Sequence, residues 1–253
     1  MKAWPKHPLR LTGRLIWLAS ELVLAAVSCM GRSAFRPPHV ALAARALWLQ
    51  HVCRRLLRVF GIRGRVSGPV PSRGILVCNH LSYLDVLVLG ACSPAVFMAK
   101  QEVKSWPVFG WFASLAGTLF VQRERRTHVG PLTREMETVL DTGVLLVLFP
   151  EGTSSDGQTV LPFKSSLLEP AARQTHPLSA GFIQYELEDG DAREEVCYWK
   201  DMTLLPHLIN LLSKRTVRVS VQFTQLRQGS MNRKNLARQL HAEVLRLKAA
   251  IAT

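Results

Sequence analysis

Apolar positions along this chain fall into two regimes that meet near Gly61. Beyond that point, continuous apolar runs at 75–78, 96–99, 118–121 and 144–149 alternate with stretches in which polar and apolar residues mix. Short apolar runs bounded by turn formers predict strands buried on both faces. Residues 178–185 and 217–223 also read as strands. In the second, Val217, Val219, Val221 and Phe223 alternate with polar residues and predict one buried face. Helices are predicted over Thr127–Asp141, stopping before Gly143, and over Ser165–Arg173. A C-terminal helix is predicted where Leu236, Leu240, Val244, Leu247 and Ile251 recur at helical spacing. Strands alternating with helices predict an α/β domain. The acidic stretch 186–195 reads as a solvated loop, and no internal repeat or low-complexity linker is visible.

Before Gly61 the pattern is different. An apolar run from Leu15 to Met30 and a second stretch from Val40 to Phe60 flank Pro37-Pro38, which predicts a helical hairpin. In the second helix Leu42, Leu49, Leu56 and Phe60 group together while Arg45, Arg54 and Arg58 lie outside, the pattern of an interfacial helix. The first run falls short of the ~20 apolar residues needed to span a bilayer, and Glu21 interrupts it. The domain boundary is therefore placed at 60: a membrane-associating hairpin over 1–60 and the α/β domain over 61–253.

Charge sharpens that division. The formal net charge is +14, and over residues 1–66 the Lys and Arg side chains are opposed by Glu21 alone. Such a segment suits nucleic acid, an anionic membrane surface or a solvated basic face. The interleaved apolar residues, with Trp17 and Trp48 read as interfacial, favour a membrane and disfavour nucleic acid, since no reading module is apparent. Basic residues on both sides of the first run place the hairpin on the cytoplasmic face. A signal peptide and a hairpin simply packed on the domain are the alternatives, the former weakened by Glu21. A chain of 253 residues buries a core without staples, and five cysteines with no Cys-x-x-Cys pair argue against a disulfide framework or a zinc site. Cys78 and Cys92 read as small core residues.

Candidate chemistry sits at two strand ends. His80 follows the run 75–78, and Asp85 lies five residues later, about one turn into the next segment. A carboxylate bonded to one imidazole nitrogen fixes the tautomer and leaves the other nitrogen to take a proton from a hydroxyl. Phe149-Pro150-Glu151-Gly152-Thr153 likewise follows the run 144–149. In open α/β sheets, sites gather at the carboxyl ends of strands, so both segments can line one crevice. No Gly-x-Ser-x-Gly elbow is present, and Ser82 is not expected to be a nucleophile.

These residues carry a family resemblance. His80 through Asp85, Gly117-Thr118-Leu119-Phe120-Val121-Gln122-Arg123 and Phe149 through Thr153 resemble, in order and spacing, three sequence blocks of the glycerolipid acyltransferases, a family that includes the 1-acylglycerol-3-phosphate O-acyltransferases. Leu161-Pro162-Phe163-Lys164 is similar to the stretch after the third block, and His176-Pro177-Leu178-Ser179-Ala180 resembles a fourth. The resemblance implies a mixed, mostly parallel sheet flanked by helices and a reaction without metal or cofactor. Its partners would be an acyl-CoA or acyl-carrier protein donor, a lysolipid acceptor and a membrane surface. It implies His80 as general base, Asp85 as its orienter and Arg123 as a phosphate ligand, with Glu151, Gly152 and Thr153 shaping the acceptor site. Lys100, after the run 96–99, is a further head-group candidate. Two departures bear on the acceptor: Gln122 stands where the family commonly has an acid, and Ser154 where it commonly has arginine. Lysophosphatidate is the first acceptor expected and lyso-ornithine lipid the second, since one bacterial branch has a third block resembling Gly152 through Gly157. A catalytically idle membrane-binding protein is the reading from another class.

Overall fold

The computed structural model describes residues 7–33, 38–121, 129–173, 176–226 and 232–251. In chain order the elements are α1 (Pro8–Ser33), α2 (Pro38–Phe60), β1 (Ile62–Ser67), β2 (Ile75–Cys78), α3 (Leu84–Cys92), β3 (Ala95–Lys100), α4 (Phe109–Leu115) and β4 (Leu119–Val121), followed by α5 (Val129–Asp141) and β5 (Leu145–Leu148). The remainder is α6 (Glu169–Arg173), β6 (Leu178–Leu187), α7 (Ala192–Glu195), α8 (Leu204–Ser213), β7 (Val217–Leu226) and α9 (Arg233–Ile251). One seven-stranded sheet has the order β1-β7-β6-β2-β5-β3-β4. Every neighbouring pair is parallel except β6 and β7. The carboxyl ends of β2, β3, β4, β5 and β6 therefore share one edge.

The strands take their places by burial. All four residues of β2 and of β5 are buried, as the apolar runs predict for central strands covered on both faces. Ile75, Val77, Leu146 and Leu148 join one apolar cluster with α5 and α9. Leu76, Cys78, Leu145 and Val147 join the other, with α2, α3 and α8. Cys78 is fully buried and Cys92 half-buried, both free thiols. β7 buries Val217, Val219, Val221 and Phe223 as its alternation predicts.

Other elements depart from the pattern reading. β1 leaves no hydrophobic signal because Ile62 alone is buried; its backbone pairing with β7 makes the strand. The single helix expected over 165–173 is a 3₁₀ turn, Ser165–Leu168, leading into α6. Three of the acids of 186–195 are engaged: Asp191 caps α7, Glu195 pairs with Lys214 and Asn210, and Glu188 pairs with Arg218.

The hairpin differs most. One face of α2 is buried, with Leu56, Val59 and Phe60 in the core on α3 and the sheet and with α1 packed across it, while Leu47, His51, Arg54, Arg55 and Arg58 are exposed. Trp48 is 2% exposed, and its indole N–H donates to the Ala25 carbonyl (3.1 Å) and the Ser28 hydroxyl (3.1 Å). Small residues permit the approach: Ala25 and Cys29 of α1 meet Trp48 and Ala116 in one cluster. The apolar face of the second helix thus packs on the domain, while Arg54 and Arg58 are exposed as expected. Several of its cations serve the fold. Arg54 donates to Ala91 O at the end of α3 (2.9 Å), and Arg55 pairs with Glu21. On α1, Arg10 and Arg14 donate to Ser213 O (3.2 Å) and Leu212 O (3.3 Å) at the end of α8, where exposed carbonyls attract cations. Among the described residues, Pro8–Cys29 is the one helical stretch long and apolar enough to cross a membrane by length and composition. Its outward row, Leu9, Ile16, Val23 and Val27, is exposed.

Candidate active site

β2 ends at Cys78, and Asn79 fixes the exit of the chain. Its side-chain amide donates to Ile183 O (3.0 Å) and its amide oxygen accepts from Ile183 N (2.8 Å) on β6, extending the ladder by a side chain where the backbone leaves it. The turn that follows wraps around Asp85, which sits in the first turn of α3 and is 0% exposed. Asp85 Oδ2 accepts from His80 Nδ1 (2.7 Å), Leu81 N (2.7 Å) and Ser82 N (3.0 Å). Its Oδ1 accepts from the Tyr185 hydroxyl on β6 (2.7 Å). A carboxylate that only accepts requires the proton on Nδ1 of His80, so Nε2 carries the free lone pair. Among the described residues, Nε2 has no hydrogen-bond partner. The imidazole stacks on Phe149 at 4.2 Å and keeps 22% of its side chain exposed. It is thus held rigidly and remains reachable.

The second strand end is tied to the first. After β5, Gly152 N donates to Phe149 O (3.1 Å), closing a tight turn in which Gly152 has φ +78°, a conformation glycine adopts freely. Glu151, 2% exposed, spans the two ends: Oε1 accepts from His80 N (2.9 Å) and Oε2 from Leu161 N (3.1 Å). Burial pushes its carboxyl from 4.5 up to about 7, an effect partly offset by those two N–H groups. Ser155 N donates to His80 O (3.0 Å), and Lys164 N to Pro150 O (2.8 Å). Glu151 therefore braces the turns through backbone groups.

Of the residues singled out in the sequence, His80, Asp85, Glu151 and Gly152 come together. Thr153 is exposed beside them. Lys100 is exposed at the end of β3, on the same sheet edge but separated from β2 by β5. Arg123 and Gln122 lie outside the described residues. The Ser154 hydroxyl donates to Tyr198 O, so this position is structural here. Ser82 is buried, and its hydroxyl has no partner among the described residues. The block 176–180 enters β6 at its amino end, where Pro177 O accepts from Ile75 N, away from His80. Among the described residues, no group of three or more His, Cys, Asp or Glu side chains converges as metal ligands would. Tyr185 escaped the sequence reading, although the alternation along β6 places it on the face that carries α3.

An acyltransferase family model matches residues 62–184. The chain is 35% identical over 243 residues to the lyso-ornithine lipid O-acyltransferase of Brucella abortus, covering 88% of this chain and 91% of that one. It is 34% identical over 173 residues to the 1-acyl-sn-glycerol-3-phosphate acyltransferase of Neisseria meningitidis serogroup B, covering 67% and 68%. The match to the lyso-ornithine lipid O-acyltransferase of Rhizobium meliloti, 35% identical, covers 70% of this chain and slightly under two thirds, 65%, of that protein. Its fold is that of the crystal structure of the 1-acyl-sn-glycerophosphate acyltransferase PlsC from Thermotoga maritima, with a TM-score of 0.61 at 20% identity over 96% of this chain and 97% of that one.

Proposed function

This chain belongs to the glycerolipid acyltransferase family, and we propose that it moves a fatty acyl group from an acyl thioester to the hydroxyl of a lysolipid, with His80 as general base. The observation that carries this reading is the His80 ring, its Nδ1 on a buried carboxylate and its Nε2 free. Nε2 takes the acceptor's hydroxyl proton as the oxygen attacks the thioester carbonyl. The C–S bond then breaks, and the imidazolium returns the proton to the departing thiolate. The donor is acyl-CoA or acyl-carrier protein; Gly152 and Thr153 shape the acceptor site, nearby N–H groups serve the oxyanion, and Arg123 and Lys100 are the ligands expected for the acceptor head group.

For the acceptor, 1-acyl-sn-glycerol-3-phosphate, giving phosphatidic acid, is supported by the similarity to the Neisseria enzyme. Lyso-ornithine lipid is the second reading. It is favoured by the near full-length similarity to the Brucella protein and by Ser154, which stands where the family's cation is common and is engaged with Tyr198. The proposed seat is the cytoplasmic face of a membrane, with the hairpin of 1–60 meeting the lipid through the outer row of α1 and residues 61–253 forming the acyltransferase domain.

The test is His80→Ala with purified protein, assayed on both lysolipids with CoA and carrier-protein donors. Turnover should fall by about 10²–10⁴-fold with the fold retained by circular dichroism. Near-normal turnover would refute the mechanism, and the acceptor turned over by the unaltered protein decides the head group.

A further inference from the structure

We infer that Tyr185 is a positioning residue for this reaction, setting through Asp85 how strongly the His80 imidazole binds its proton. The inference rests on the general-base reading above and deepens it. Asp85 has two carboxylate oxygens with different neighbours. Oδ2 is shared by His80 Nδ1 and two backbone N–H groups of its own turn, all within five residues in the chain. Oδ1 is served by the Tyr185 hydroxyl, which comes from a strand 100 residues later, at 2.7 Å. Because Asp85 is fully buried, solvent offers no substitute donor.

The placement of Tyr185 is itself secured. It lies on β6 two residues after Ile183, the residue whose backbone Asn79 clasps, and opposite Val219 of β7. The same strand thus holds the residue preceding His80 and the far oxygen of Asp85. Burial raises the Tyr185 phenol well above its ordinary value, and the neighbouring Asp85 charge adds to this, so the hydroxyl stays a donor at any working pH. The other titratable groups facing this cluster are His80 and Cys78 around the end of β2, Cys197 after α7 and Glu151 after β5. The thiols of Cys78 and Cys197 are pushed up by burial and remain neutral.

A donor on Oδ1 draws carboxylate charge away from Oδ2, and with it the pull on the imidazolium. Removing that donor concentrates the charge, stabilises protonated His80 and makes the free base scarcer at a given pH.

The experiment compares Tyr185→Phe with the unaltered chain in the lysolipid acylation assay across pH, alongside NMR titration of the His80 ring assigned by its loss in His80→Gln. In Tyr185→Phe the acid limb of kcat/KM and the ring titration should both move up together, with the acceptor KM unchanged. Replacing Tyr185 by 3-fluorotyrosine, a stronger donor that keeps ring and hydroxyl, should move both down, and this arm stands even where the Phe variant folds poorly. In an Asp85→Asn background the ring titration should no longer respond to Tyr185→Phe. Unmoved titration and acid limb in both Tyr185 variants would overturn the role of Tyr185. Retained activity in His80→Ala would instead overturn the general-base reading.

Discussion

Replacing Glu151 by Gln should change how stability depends on pH, by an amount the structure sets. Burial holds the Glu151 carboxyl at about 7 against 4.5 for the free group. Below pH 4.5 the side chain is protonated in folded and unfolded chains alike, and its titration contributes nothing. Between pH 4.5 and 7 the unfolded chain releases the proton while the folded protein retains it, so stability falls as pH rises. Above 7 both states are ionised, and the folded protein carries the full cost of a buried charge. At ~1.4 kcal/mol per pH unit this amounts to ~3 kcal/mol. The side-chain amide of the Glu151→Gln variant does not titrate. It also provides one good acceptor fewer for His80 N or Leu161 N, a constant offset of about 1 kcal/mol at every pH. The gap in melting temperature between the two proteins should therefore shift in favour of Glu151→Gln by roughly 6–12 °C from pH 4.5 to 7.5, taking ~2–4 °C per kcal/mol for a chain of this size. Differential scanning calorimetry in mild detergent measures that gap. A gap that stays constant across the range would refute a carboxyl displaced by burial.

Two further outcomes follow from the geometry. Asn79→Ala leaves the N–H and C=O of Ile183 unpaired in the interior and should destabilise the protein by about 1–3 kcal/mol; urea unfolding checks this, and an unchanged midpoint would show that the clasp does not bear on stability. Ile16→Lys with Val23→Lys alters the exposed row of α1 without touching the core, so vesicle sedimentation should weaken at least tenfold while the melting temperature holds. Undiminished sedimentation would place membrane contact elsewhere.

The central strands were legible because β2 and β5 are apolar at every position, and only a strand covered on both faces tolerates that. β1 was not, since a strand on the sheet edge pairs through backbone groups that leave no trace in residue identity. The packing of α2 was not legible for a related reason. Arg54 and Trp48 look like interfacial residues in sequence, yet each finds a carbonyl of the fold, on Ala91 and Ala25, for its polar end. At the site, His80 and Asp85 could be paired from spacing alone because their contact is local. Glu151 could be placed nearby, but its grip on two N–H groups could not be foreseen. The Tyr185 bond joins segments 100 residues apart and becomes visible only once β6 lies beside β2.

Because α1 is fastened at both ends, by Arg10 and Arg14 to the end of α8 and by Ala25 and Cys29 to Trp48, it cannot swing as a tethered anchor would. The distance from the outer row of α1 to His80 is then a constant of the fold. On a surface engaged by that row, the reactive nitrogen rides at one fixed height, and a lipid hydroxyl is reached according to how far its head group lifts it from the acyl chains. If the proposed seat on a membrane holds, head-group length would then bear on which lipid hydroxyl reaches Nε2.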